Sequence, residues 1–322
     1  MLKNCLSMKN SISNKKSGSF LCFSNRKEIY FFWIIFIFCV GVIFIGGFWQ
    51  RKNLEVTIDD ILKLSIAPPE LGSVSYLVGE INSGKILFKR NSKLHLFPAS
   101  LAKLMTGMIV LDNFSLDEEV IVSNYAVSME GEVGGLIVNE IIKVDDLLKI
   151  LLIPSSNDAA KAFEEALEKK GKDFSGLMNE KAREIGLVNS AFFDTSGLDR
   201  EGNFTTIEDM FSLSREIYTN YPYIGEITRK KDATVYSIDG AIVHEVENTN
   251  ILVGQIDDLW GGKTGTTPEA RDCLLTIYEF PFPEKNDKIV IAIIVLNSSD
   301  RFGDTMELYN WTKDLIENNY GI

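Results

Sequence analysis

Three short stretches bring together side chains able to do nucleophilic chemistry. The first, "SLAK", puts Ser100 three residues ahead of Lys103. On a helix, positions i and i+3 share a face with β-carbons about 5–6 Å apart, so hydroxyl and amine come within reach. A serine at a helix start also sits where unpaired backbone N–H groups point outward and can stabilise negative charge. Lys103 is flanked by Leu101, Leu104 and Met105. Apolar surroundings lower a lysine's pKa and let it act as a base near neutral pH. The same four residues also read as a serine-capped helix with a solvated lysine. The second stretch, "PSSNDAA", places Ser155, Ser156 and Asn157 in a turn after Pro154, where serine and asparagine equally serve as turn and cap residues. In the third, "WGGKTGTT", glycines and threonines bracket Lys263. That composition lets a ligand approach the backbone of a strand, and it also reads as a glycine-rich hairpin.

Other chemistries find little support. The chain has two histidines, His95 and His244, and neither sits in a recognisable catalytic setting. No His/Cys cluster has the spacing of a metal site, and no glycine-rich phosphate loop follows a strand, so neither metal nor cofactor is expected. What remains is a chemistry that needs neither histidine nor metal.

The elements that must position these residues can be read in outline. "VSYLVGEINSGKILFKRN" reads as two strands around an "NSGK" turn, followed by a helix from Ser100 through "LMTGMIVLDNF". "VDDLLKILLI" is a helix stopped by Pro154, and a new one starts at Asn157 or Asp158 and ends at a glycine. "FSGLMNEKAREIGL" repeats that glycine ending. From about residue 228 the pattern turns to strands, "TVYSI", "AIVHEV", "CLLTIYEF" and "KIVIAIIVLNS", before a last helix, "DTMELYNWTKDLIENN". Strands, helices, strands and a helix in that order predict an α+β domain. An antiparallel sheet is flanked by N- and C-terminal helices, with an all-helical lobe inserted in the middle.

The three stretches occur in order, about fifty and then about a hundred residues apart, as the S-x-x-K, S-x-N and K-T-G motifs of the penicillin-interacting serine enzymes. The chain resembles the D-alanyl-D-alanine carboxypeptidases, the low-molecular-mass penicillin-binding proteins. "PASLAKLMTG", "LLKILLIPSSNDAA", "FDTSGLDREGNFTTIEDM", "GGKTGTTPEARDCL" and "SSDRFGDTMELYNW" are each similar to a segment of that family, and together they span roughly residues 70–320. The resemblance implies the DD-peptidase/β-lactamase fold and a Ser100 nucleophile that attacks the penultimate D-Ala carbonyl of a peptidoglycan stem peptide. Lys103 is then the base, and the backbone N–H groups of Ser100 and Thr266 hold the oxyanion. It also implies that Ser155 relays a proton to the leaving amine and that Asn157 holds Lys103 and the substrate amide. Lys263 becomes a positive charge beside the Ser155 hydroxyl and, with Thr264, Gly265 and Thr266, a seat for the terminal carboxylate. Water then deacylates the enzyme, and β-lactams are covalent inhibitors. Ser156 departs from the family, which usually has glycine there.

The same motifs admit other activities. A D,D-endopeptidase cutting cross-links uses the same machinery. A β-lactamase shares the triplets, but no E-x-x-L-N-like segment follows the S-x-N turn. A non-hydrolytic sensor of peptidoglycan or β-lactam is a further reading, against which the intact set of five polar residues argues.

Charge divides the chain. Residues 1–52 hold eight Lys/Arg and one Glu, a balance of +7, so a chain of net charge −12 leaves −19 for the rest. An acidic body argues against nucleic acid as its partner. Residues 29–49, "IYFFWIIFIFCVGVIFIGGFW", carry no charge over a length that crosses a ~30 Å hydrocarbon core. Aromatic residues stand near both ends of that run, six Lys/Arg precede it and two closely follow. The positive-inside rule then keeps the N-terminus cytoplasmic and exports the body. The expected organisation is a basic cytoplasmic segment (1–28), an uncleaved transmembrane signal-anchor helix (29–49), a linker (50–70) and one catalytic domain (71–322) on the cell-wall side. Cys5, Cys22 and Cys39 lie in the head and span. That leaves Cys273 alone in the body, read as a buried small hydrophobe rather than half of a disulfide.

Overall fold

The computed structural model describes residues 68–282 and 287–317. Residues 68–322 make one compact unit. The expected signal-anchor helix at 29–49 lies outside the described residues, among which no helix is long and apolar enough to cross a membrane.

The centre is a five-stranded sheet in the order β2-β1-β9-β8-β7, every neighbour antiparallel. Its strands are β1 (Ser75–Glu80), β2 (Ile86–Arg90), β7 (Leu259–Thr267), β8 (Arg271–Phe282) and β9 (Asp287–Ser298). β9 runs down the middle, and its apolar stretch from Val290 to Leu296 is buried throughout. A continuous rather than alternating apolar run is what a strand covered on both faces requires. One face is covered by the last helix, α8 (Arg301–Glu317), whose Tyr309 stacks near Tyr278 and Phe280 and whose Trp311 meets Phe88. The other face is covered by helices from the middle of the chain, with Phe211 of α6 (Ile207–Asn220) lying against Gly79.

Between β2 and α6 the chain builds the expected helical lobe. It contains α1 (Ala102–Asn113), α2 (Asn124–Val127), α3 (Val144–Leu152), α4 (Asn157–Lys169) and α5 (Phe174–Glu184). Gly171 and Gly186, both at positive φ, follow α4 and α5 as left-handed helix ends. The lobe also carries β3 (Glu119–Ile121) paired with β4 (Ile141–Lys143), three residues each and too short to announce themselves in the sequence. A short helix, α7 (Pro222–Thr228), opens on a proline at its first turn. β5 (Asp232–Tyr236) and β6 (Val243–Glu247) form a separate two-stranded sheet, so those two strand-like runs do not extend the central one.

Candidate active site

The site forms where the edge strand β7 meets the start of α1. The chain does not enter α1 through a serine cap. A 3-10 turn, Ala99–Leu101, comes first, with Pro98 before it and no side-chain cap bond. Ala99 holds a left-handed backbone at φ 48°, a conformation costing an alanine on the order of 1–3 kcal/mol and concentrated at functional sites. Gly265 of β7 lies directly beside this turn. A β-carbon there would stand 2.9 Å from the Ser100 nitrogen and 2.9 Å from the Ala99 β-carbon, so only glycine lets the strand come so close. Gly197 does the same on another side, since a β-carbon there would stand 1.9 Å from the Ala99 carbonyl oxygen.

The Ser100 hydroxyl, free of capping duty, accepts a hydrogen bond from Lys103 Nζ at 2.8 Å. Lys103 is fully buried. Its Nζ also donates to Asn157 Oδ1 at 2.7 Å and to the Ser196 carbonyl at 3.1 Å, which uses all three ammonium donors. Burial pulls its pKa from 10.5 to about 7, against the opposing pull of Asp194 and, behind it, Glu132 and Asp158. An amine so placed can give up and take back a proton near neutral pH.

Asn157 opens α4 and is fixed on its other side. Its Nδ2 donates to the Glu130 carbonyl and its backbone N–H to the Glu132 carbonyl, each at 2.7 Å. Ser156, where the family usually has glycine, is the N-cap of α4. Its Oγ accepts from Ala159 N at 3.0 Å and from Gly134 N at 3.1 Å. Asp158 accepts from Gly134 N at 2.9 Å and Leu136 N at 3.1 Å. The loop 130–136 is thereby bolted to the helix that carries Asn157. Ser155, just before the cap, is buried in a left-handed conformation at φ 66°.

On β7, Lys263 is 1% exposed and its Nζ donates to the Thr264 carbonyl at 3.0 Å. Burial, then Lys103 and Arg301, push its pKa well below the ordinary lysine value. Thr264 shares a hydroxyl contact with Thr249 at 2.5 Å, and Thr266 donates to Asp272 at 2.8 Å. Arg301, at the start of α8, donates to the Gly265 carbonyl at 3.0 Å and to the Thr266 hydroxyl, and pairs with Asp272 at 3.2 Å.

Ser100, Lys103 and Asn157 thus share one hydrogen-bonded cluster, with Gly265 packed against its turn. Lys263 is electrostatically coupled to Lys103. Four contributors escaped the sequence reading: Ser196 through its carbonyl, Asp194 behind it, Glu132 on the clamped loop, and Arg301. Arg301 stands inside the quoted segment "SSDRFGDTMELYNW", and "DTSGL" contains the other pair, but no spacing rule ties either to Ser100. The histidines lie elsewhere. His244 of β6 hydrogen-bonds Glu140 of the lobe at 2.7 Å, and His95 stacks on Phe204. Cys273 is buried with its thiol pushed up to about 12 by that burial, and so is inert. Among the described residues no group of His, Cys, Asp or Glu could hold a metal ion.

Residues 63–299 match the family described as D-alanyl-D-alanine carboxypeptidase. The D-alanyl-D-alanine carboxypeptidase DacF of Bacillus subtilis is 32% identical over 61% of this chain, which spans about half (51%) of that relative's length. A D-alanyl-D-alanine endopeptidase of Pseudomonas aeruginosa is 31% identical over 81% of the chain and 89% of its own length. The crystal structure of penicillin-binding protein D2 from Listeria monocytogenes, in an ampicillin-bound form, superposes with a TM-score of 0.62. It is 32% identical and covers 76% of this chain and 99% of that one. With the family matched along most of its length and the three motifs meeting at one turn, the chain belongs to the D-alanyl-D-alanine carboxypeptidase family.

Proposed function

We propose that this protein is a serine-type D-alanyl-D-alanine carboxypeptidase that removes the terminal D-Ala of peptidoglycan stem peptides through an acyl-enzyme on Ser100. The observation that carries the reading is the bond from a fully buried Lys103 to the Ser100 hydroxyl, with that lysine's pKa near 7. Lys103 takes the Ser100 proton as the hydroxyl attacks the carbonyl. The N–H groups of Ser100 and Thr266 hold the oxyanion, and their strand-and-turn setting is kept close by Gly265. Ser155 passes a proton to the leaving amine while Asn157 keeps Lys103 aimed. Lys263, Thr264 and Thr266 seat the terminal carboxylate, whose negative charge favours the protonated form of Lys263 against the effect of burial. Water then releases the shortened peptide.

The experiment is direct. Full-length protein is incubated with a labelled penicillin and, separately, with a peptide ending in D-Ala-D-Ala. The expected result is a stable adduct on Ser100 and release of D-alanine. Rapid penicillin turnover without peptide cleavage indicates a β-lactamase, and an adduct with neither activity indicates a binder. Ser100→Ala abolishes adduct and release, and a surviving adduct would sink the mechanism.

A second reading has its own support. Of the two curated relatives described above, the endopeptidase is matched over much more of its length than DacF is. A cross-linked dimeric peptide offered beside the linear one measures the balance between the two cleavages. As to place, the charge-free run 29–49 and its basic flank support a membrane anchor with the catalytic unit outside. Protease added outside intact cells is expected to degrade the catalytic unit, and protection after any outer layer is opened contradicts the topology.

A further inference from the structure

One of the three bonds from Lys103 goes to a backbone atom, the Ser196 carbonyl oxygen at 3.1 Å. That carbonyl shares a peptide unit with the N–H of Gly197, and Gly197 N donates to Asp194 Oδ1 at 2.7 Å. The same carboxylate oxygen accepts from Ser196 N and from Ser196 Oγ, each at 2.8 Å, and Asp194 Oδ2 accepts from Asn203 Nδ2 at 2.8 Å. Asp194 is only 9% exposed. Among the described residues it is ion-paired with Arg200, whose Nε stands 3.8 Å from Oδ2 on a side chain that is 51% exposed. A peptide unit is a conjugated plane. Negative charge at its N–H end strengthens its carbonyl as an acceptor, the more so where water is excluded. One plane therefore joins the carboxylate of Asp194 to the amine of Lys103.

We propose that Asp194 is a positioning residue for Lys103, holding the amine on Ser100 and tightening its grip on a proton through the Ser196–Gly197 peptide unit. Other charges face Lys103, but none has this connection. Glu132 sits exposed on the loop 130–136, and Lys263 is a like charge on β7. Asp158, at the first turn of α4, spends its oxygens on the N–H groups of Gly134, Leu136 and Ala159. Of the three carboxylates that oppose the effect of burial on Lys103, Asp194 contributes most. The catalytic meaning of this link rests on Lys103 being the base. The link itself is a property of Lys103, measurable without turnover.

The test is a titration of Lys103 by NMR in full-length protein labelled at the lysine ε-carbon, the resonance assigned by its loss in Lys103→Arg. Asp194→Asn removes the charge, so the Lys103 midpoint is expected to fall by roughly half a unit to one unit. Arg200→Gln leaves Asp194 uncompensated, so the midpoint is expected to rise by a few tenths of a unit. The acid limb of penicillin acylation is expected to move in the same two directions. A purely structural role for Asp194 gives no such pair of opposite shifts. An unchanged midpoint in folded Asp194→Asn overturns the proposal. Asn203 donates both to Asp194 and to the Leu198 carbonyl, so Asp194→Asn leaves two amides facing each other and can cost folding. Arg200→Gln, altered at an exposed side chain, then decides, and the absence of a rise overturns the proposal. A wild type that shows the shifted lysine but forms no penicillin adduct refutes the enzymatic reading and leaves the link standing.

Discussion

At the scale of single residues, the chemistry depends on a lysine that is neutral for part of the physiological range. With its pKa near 7, Lys103 loses its proton as pH rises through neutrality. The rate of Ser100 acylation by a labelled penicillin is therefore expected to climb tenfold per pH unit below pH 7 and to level off above it. A profile flat from pH 5 to pH 8 contradicts that role. Gly265 sets the second constraint. Gly265→Ala forces a β-carbon to within 2.9 Å of the Ser100 nitrogen, and a displacement of about 1 Å at a reacting group costs on the order of 100-fold in rate. Acylation kinetics beside a thermal melt check this, the melt being expected to move far less than the rate. Of these residues, Ser100 and Lys103 are legible because a helical i, i+3 pair is local. Asn157 and Lys263 are legible only through the motifs shared with the family. Ser196 acts through a carbonyl, and every residue except the chain end has one, so no residue type marks it. Asp194 is joined to Lys103 across that peptide unit rather than by a direct bond, and is hidden for the same reason.

At the scale of elements, the N-terminus of α4 holds Asn157 and the loop 130–136 together. Ser156 does double duty there as helix cap and as acceptor for Gly134. Ser156→Ala is expected to cost about 1 kcal/mol of stability, the usual loss for a helix N-cap. Ser156→Gly, which restores the family's common residue, is expected to cost only a few tenths. Denaturant unfolding of the two variants checks the order, and equal losses would mean that the cap bond contributes nothing. Helices α3, α4 and α5 were readable from apolar periodicity and end signals, because those signals act within a few residues. The 3-10 turn at Ala99–Leu101 was not, since its left-handed alanine is imposed by Gly197 and Gly265 from distant segments. β5 and β6 were readable as strands, yet their departure from the central sheet depends on where α7 delivers the chain.

For the whole molecule, the buried lysine is a thermodynamic burden. Its folded pKa lies below its unfolded value, so between about pH 7 and pH 10.5 the unfolded chain binds the extra proton and stability from this group rises with pH. Below pH 7 the stabilisation is absent and the charged form is held in a dry site, a difference of roughly 5 kcal/mol across the window. Lys103→Met is expected to remove that slope and to be the more stable protein at pH 6 while being inactive. Urea unfolding of both proteins at pH 6 and pH 9 measures it, and parallel pH dependences would count against it. The order of the sheet carries one more consequence. β1 lies between β2 and β9, with Ser75 opposite Leu296, and Arg301 just beyond β9 braces the strand beside Ser100. Pairings between chain segments so far apart form late. On a ribosome, Ser100 is made well before its partners on β7 and α8. Reactivity toward penicillin thus reports synthesis through α8: nascent chains halted before Arg301 stay unlabelled, and those released just beyond α8 label at once.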